Sequence, residues 1–151
     1  MKDKYIIKIF LIPIILISLR CSKNSDLSLI NTSKLENALG ITSSEVPFEG
    51  DYLFFKDVDY GLKERNQLDI LLPQSDEIIG TVIFFHGGAF LFGTKEDLYD
   101  GEVKEIISSL LNDNIAVINA EYTFINDSDS QGVIASLEDG TAVINFISDN
   151  V

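Results

Sequence analysis

His86-Gly87-Gly88-Ala89-Phe90 is the segment whose residue types and order could do chemistry. Two successive glycines let a backbone turn tightly and bare its amides. Two or three N–H groups aimed at one point can hold a developing oxyanion, at about 2.7–3.1 Å. Glycine suits that task because side chains would block a substrate's approach. Two plainer readings stand beside it. A Gly-Gly after a strand also serves as a simple turn, and a lone His beside a strand also serves as a hydrogen-bonded structural residue. His86 is the only histidine, which excludes multi-histidine metal sites such as H-E-x-x-H. Cys21 is the only cysteine, which excludes an internal disulfide framework and Cys-rich zinc modules. No metal and no organic cofactor is implied.

The elements around that segment alternate. Tyr52–Phe55 with Val58 and Tyr60 predicts a first strand ending at Gly61, and Gln67–Leu72 a second, stopped by Pro73. The short polar stretch Leu62–Asn66 fits a hairpin connection. Thr81–Phe85 is apolar without alternation, as in a strand buried on both faces. Glu102–Asn112 carries Val103, Ile106, Ile107, Leu110 and Leu111 at helical spacing, one apolar stripe. Ile115–Ala120 predicts a fourth strand, and Asn126–Gln131 a polar loop. Ser136–Ser148 predicts a helix with Ser136 and Asp139 as its N-terminal cap and Leu137, Val143, Ile144 and Ile147 on one side. Strand, helix, strand, helix after an opening hairpin implies an α/β fold with a parallel sheet and crossover helices. The ends of strands in such sheets are where ligands sit.

HGGAF, with LDILLP before it and INAEY after it, resembles the N-terminal half of an α/β-hydrolase of the esterase/lipase type. That family carries an HGGG-type motif on the loop after its third strand as an oxyanion hole. The resemblance covers about residues 50–151 and implies a partial α/β-hydrolase sheet: hairpin strands, then βαβα. Gly87, Gly88 and Ala89 match the motif, with Ala89 in place of the third glycine, where only the N–H is needed. The resemblance also places Tyr122 at the end of the fourth strand. It makes Ser136–Gly140 the opening of the helix that leads to the nucleophile strand.

The family's nucleophile sits on a G-x-S-x-G elbow, followed by an acid and a His. No G-x-S-x-G occurs in the 151 residues. The chain ends at Asn150-Val151, where the resemblance places the strand bearing that serine. It therefore reads as a truncated hydrolase with the oxyanion loop but without nucleophile, acid or catalytic His. His86 precedes the elbow position, so by family order it supports the loop rather than serving as the triad His. Ser108 and Ser109 fall in a helix, Ser128 and Ser130 in a polar loop, and no second His is there to activate them. The acidic stretches Asp100–Glu105 and Asp127-Ser128-Asp129 lack EF-hand spacing and read as solvated surface.

The N-terminus reads as an address. Lys2, Lys4 and Lys8 precede a short apolar run, Ile9–Ile17, too short to span a bilayer, which takes about 20 helical residues. Cys21 follows directly, with Arg20 where a small residue is usual. The arrangement resembles a bacterial lipoprotein signal, with Cys21 as the lipidated residue; the alternative is a secretory signal, cleaved or uncleaved, with a free Cys21. Residues 1–20 are thus the signal, 21–47 a polar spacer, and 48–151 the fold. A short helix over Ser33–Leu39 is predicted within the spacer, capped by Ser33 and Glu36.

Charge bounds the partners. The chain has 11 basic and 24 acidic residues, a net −13. The signal holds 4 of the basic and 1 of the acidic groups, which leaves 7 against 23, or −16. A pI near 4.2 offers no basic footprint for nucleic acid. The expectation is an exported, membrane-anchored lipoprotein of a bacterial cell envelope, related to enzymes that take an ester substrate. The alternative is a non-catalytic lipoprotein acting as a binding or assembly module. It would use an open sheet edge to recruit a partner chain or a second copy.

Overall fold

The computed structural model describes Leu39 and residues 42–75, 77–128 and 130–150. The expected signal, Cys21 and the first part of the expected spacer, through residue 38, lie outside the described residues, as do residues 40 and 41, whereas Leu39 is helical and buried.

Four strands form one mixed sheet: β1 (Tyr52–Asp59), β2 (Gln67–Pro73), β3 (Gly80–Phe85) and β4 (Ile115–Ala120). Two helices complete the order, α1 (Gly101–Asn112) between β3 and β4 and α2 (Val133–Asn150) after β4, and a short 3-10 turn (Lys95–Tyr99) precedes α1. The spatial order is β1-β2-β4-β3. The opening hairpin and the β3-α1-β4 crossover are as expected, with β3 and β4 parallel and in register from Gly80↔Ile115 to Phe85↔Ala120. The sheet as a whole is not parallel, however. β2 runs antiparallel to both β1 and β4. From β2 the chain passes over β4 to the far side before β3 begins, so the parallel relationship is confined to one strand pair. Among the described residues β3 is paired on one side only.

Each face of the sheet is apolar because β2 and β4 are buried along nearly their whole lengths. Leu68, Ile70 and Leu72 of β2 and Ala116, Ile118 and Ala120 of β4 share one face with Ile83, Val143 and Ile147. Leu71, Val117 and Phe84 point the other way, onto Ile107 and Leu111 of α1. Each of the Leu, Ile, Val and Phe side chains among them contributes about 1.5–3 kcal/mol on leaving water. The result is helix, sheet, helix in three layers.

Both helices depart from the expected stripes. On α1 only Ile107 and Leu111 are buried, and Ile106 is 45% exposed. α2 begins at Val133, three residues before the predicted start, so Ser136 and Asp139 are not its cap. They lie on its buried face, in a four-residue repeat that runs Ala135, Asp139, Val143, Ile147. Leu137 is 63% exposed on the opposite side. The cap pattern misled because the same hydroxyl and carboxylate have long-range partners. Ser136 Oγ donates to the Thr123 carbonyl at 2.6 Å, and Asp139 Oδ2 accepts the Thr123 N–H at 2.8 Å.

Candidate active site

β3 delivers His86 to the carboxyl end of the sheet, where the chain turns sharply. Gly88, Ala89 and Phe90 have φ of 122°, 54° and 63° in succession. For Ala89 and Phe90 the left-handed region costs roughly 1–2 kcal/mol each, so surrounding contacts must hold it. They do so from inside and outside the turn. Leu91 N–H and Phe92 N–H both donate to the Gly88 carbonyl, at 3.0 and 3.3 Å, and Ile125 N–H donates to the Phe90 carbonyl at 2.9 Å. Gly88 is obligatory, because an added Cβ would stand 1.7 Å from the Phe92 carbonyl oxygen. Gly93, at φ 103°, closes the loop so tightly that a Cβ there would lie 2.7 Å from both Gly87 O and His86 Nδ1.

This turn leaves the N–H groups of Gly87, Gly88, Ala89 and Phe90 without an acceptor among the described residues. Gly87, Ala89 and Phe90 are exposed. Chemically, the loop can offer consecutive amide donors to an anionic oxygen at a strand end.

His86 is 4% exposed and belongs to the wall behind the loop. Its Nδ1 lies 2.7 Å from the Gly87 carbonyl oxygen and its Nε2 3.2 Å from Glu121 Oε2. The tautomer protonated on Nδ1 donates to Gly87 O, and a proton on Nε2 turns a donor toward Glu121. The ring stacks on Tyr122, and the edge of Phe124 meets it at 5.9 Å. Tyr122 follows the end of β4, and burial, reinforced by the Glu121 charge, pushes its phenol above its ordinary pKa. The hydroxyl therefore stays a neutral donor.

Glu121, next to Tyr122, gathers the loop's supports. Its carboxylate receives the Arg65 guanidinium, the contact from His86 and, on Oε1, the Lys95 N–H at 2.7 Å. Lys95 itself is 2% exposed, its ammonium held by Asp57 at 2.7 Å, Glu96 at 2.6 Å and Asp69 at 3.1 Å. Burial acts against its charge, but these carboxylates outweigh it and raise its pKa above the ordinary value. Asp69 also accepts from the Tyr99 hydroxyl at 2.7 Å, and Asn119 Nδ2 donates to the Lys95 carbonyl at 2.6 Å. The exit of the loop is thereby fastened to β1, β2 and β4.

Residues 68–151 match the BD-FAE family, more than half of the chain. The chain belongs to the BD-FAE family. The family is esterase-like and of α/β-hydrolase type. A bifunctional GH43-CE protein of Bacteroides eggerthii is similar in structure, with a TM-score of 0.53 and 26% identity over 64% of this chain. The BD-FAE chain spans only 12% of that protein's length. No curated protein matches.

The structure thus brings together His86, Gly87, Gly88 and Ala89 of this BD-FAE chain, and adds Tyr122 to them. It does not bring the serines to them as a set. Ser108 and Ser109 are on α1, Ser136 is engaged with Thr123, and Ser130 Oγ accepts from Gly132 N–H at 3.1 Å. Asp127, from one acidic stretch, accepts the Phe124 N–H at 2.7 Å and shapes a turn. Arg65, Lys95 and Glu121 were not singled out by sequence reasoning. A carboxylate at the end of a fully buried strand was the available signal, since such a charge must be paired.

Proposed function

We propose that residues 86–93 form the oxyanion hole of an ester hydrolase. The N–H groups of Gly87, Gly88 and Ala89 are the donors and His86 is the support behind them. One observation carries this reading: consecutive unpaired amides in a left-handed turn at a strand end. Attack on an ester carbonyl moves negative charge onto its oxygen. A fixed donor at that oxygen contributes about 2.7–4 kcal/mol to the barrier reduction. Because the turn is held by Tyr122, Ile125 and Glu121, the donors need no reorganisation when the charge develops. Membership of an esterase-like family supports the substrate class.

The attacking serine is a separate matter. The 151 residues contain no G-x-S-x-G and one histidine, so the chain by itself is hydrolytically silent in this proposal. Purified residues 22–151 should leave 4-nitrophenyl acetate at the buffer rate. Hydrolysis that a mutation within 86–89 abolishes would contradict that. Export and a lipid anchor at Cys21 complete the proposal. They rest on the apolar run and the position of the cysteine.

A second reading, a non-catalytic module that recruits a partner chain or a second copy, draws on β3. It is paired on one side among the described residues, and an unpaired strand edge is a template for another strand. Sedimentation equilibrium distinguishes it: a dimer supports the module, and a well-folded monomer at high concentration counts against self-pairing.

A further inference from the structure

Arg65 lies in the connection between β1 and β2, before the residues that match the family. That connection lies at the same end of the sheet as the carboxyl ends of β3 and β4, and the Arg65 guanidinium reaches the segments that follow them. Nε–H donates to the Tyr122 carbonyl at 2.9 Å, and Nη2 donates to the Gly93 carbonyl at 3.3 Å and to Glu121 Oε2. The planar group also lies over the Phe124 ring, 3.7 Å from its centroid. Glu121 in turn contacts His86 at the start of the loop and takes the Lys95 N–H beyond its end. One ion pair therefore closes a ring around residues 86–95.

Arg65 is itself well placed to act as a clamp. Its connection is fastened by Tyr60 N–H to Asn66 O at 2.9 Å, by Asn66 Nδ2 to the Tyr60 hydroxyl at 3.1 Å, and by Lys63 to Asp139 at 2.8 Å. The Tyr60 hydroxyl donates to the Glu121 carbonyl at 2.8 Å, so the same hairpin end holds both halves of the pair. Arginine is needed because its rigid fork serves Tyr122 O, Gly93 O and the carboxylate together. A lysine would bring a point charge to Glu121 and lose the other two.

We propose that Arg65 is a positioning residue: acting through Glu121 and Gly93, it holds the 86–95 loop in the shape that bares its amides. This rests on the oxyanion reading of that loop. The hairpin connection thereby becomes part of the site.

The test uses the 15N-labelled full chain with Arg65→Met and Arg65→Lys. In R65M the N–H groups of Lys95 and Ile125 should exchange with deuterium about tenfold faster or more. Those of Ile70 and Ile118, in the β2–β4 pair, should stay within about twofold. R65K should fall between wild type and R65M at the loop, and the His86 side-chain 15N resonances should shift in both. Unchanged loop exchange in a folded R65M, or acceleration spread equally over the β2–β4 pair, would overturn the proposal. If R65M does not fold, R65K is read by the same criteria. Exchange reports the order of the loop and not anion binding. A loosened loop that never responded to an anion would count against the oxyanion reading alone.

Discussion

The Tyr122 ring is stacked on the His86 ring, with centroids 4.5 Å apart and planes 17° from parallel, and its hydroxyl donates to the His86 carbonyl at 3.0 Å. Two neighbouring strands thus grip the start of the loop at two points, one apolar and one polar. Tyr122→Phe keeps the stacking and removes the donor. It should cost about 0.5–1.5 kcal/mol in urea unfolding, with a further penalty if the buried carbonyl is left unpaired. Tyr122→Ala should cost about 3–5 kcal/mol, because it also opens a cavity against His86 and Phe124.

The two glycines of the motif are not equivalent. A Cβ at Gly87 would meet nothing within 4 Å, and its φ is not in the left-handed region. Gly87→Ala should leave stability within about 0.5 kcal/mol of wild type. Gly88→Ala places a methyl on the Phe92 carbonyl oxygen in a region disfavoured for L side chains. It should cost at least about 1–3 kcal/mol and break the Leu91 N–H bond to Gly88 O. Equilibrium unfolding and the exchange rate of the Leu91 amide check both.

Asp139 gives the fold an acid limb. Burial favours its neutral form, but the bonds from Lys63 and from Thr123 outweigh burial, so its folded pKa lies below the ordinary 3.8. A carboxyl depressed in the folded state contributes stability that is complete above the unfolded value. That contribution is lost as pH falls through the folded value. Asp139→Asn should therefore cost about 1.5–3 kcal/mol near neutrality, and the difference from wild type should shrink below about pH 4. Urea midpoints across pH 7 to 2.5 measure it; a difference that persists undiminished in acid contradicts the assignment.

The strands were legible because Gln67–Leu72, Thr81–Phe85 and Ile115–Ala120 are apolar runs bounded by Pro73, Gly80, Gly87 and polar turns. Their order was not, since nothing local in β2 says that it pairs antiparallel with β4 across the position β3 would take in a simple meander. The start of α2 was misplaced for a related reason. Ser136 and Asp139 look like a cap, yet Thr123 and Lys63, distant in sequence, are what satisfy them. The loop that bares amides could be read from His86-Gly87-Gly88-Ala89, because glycine content reports backbone conformation directly. Of its supports only Glu121 left a trace, as a carboxylate that closes a buried strand; Arg65 and Lys95 are distant from it in sequence and meet it only through the folded sheet.

The central claim is that Gly87, Gly88 and Ala89 present free donors to an oxyanion. Titration of the 15N-labelled protein with methylphosphonate, a tetrahedral anion, tests it most directly. The amide protons of those three residues should move downfield together and saturably, those of the β2–β4 pair should stay in place, and Gly88→Ala should abolish the response while the fold persists. Loop amides that do not move, or small shifts scattered over the surface and equal in the Gly88→Ala variant, would contradict it.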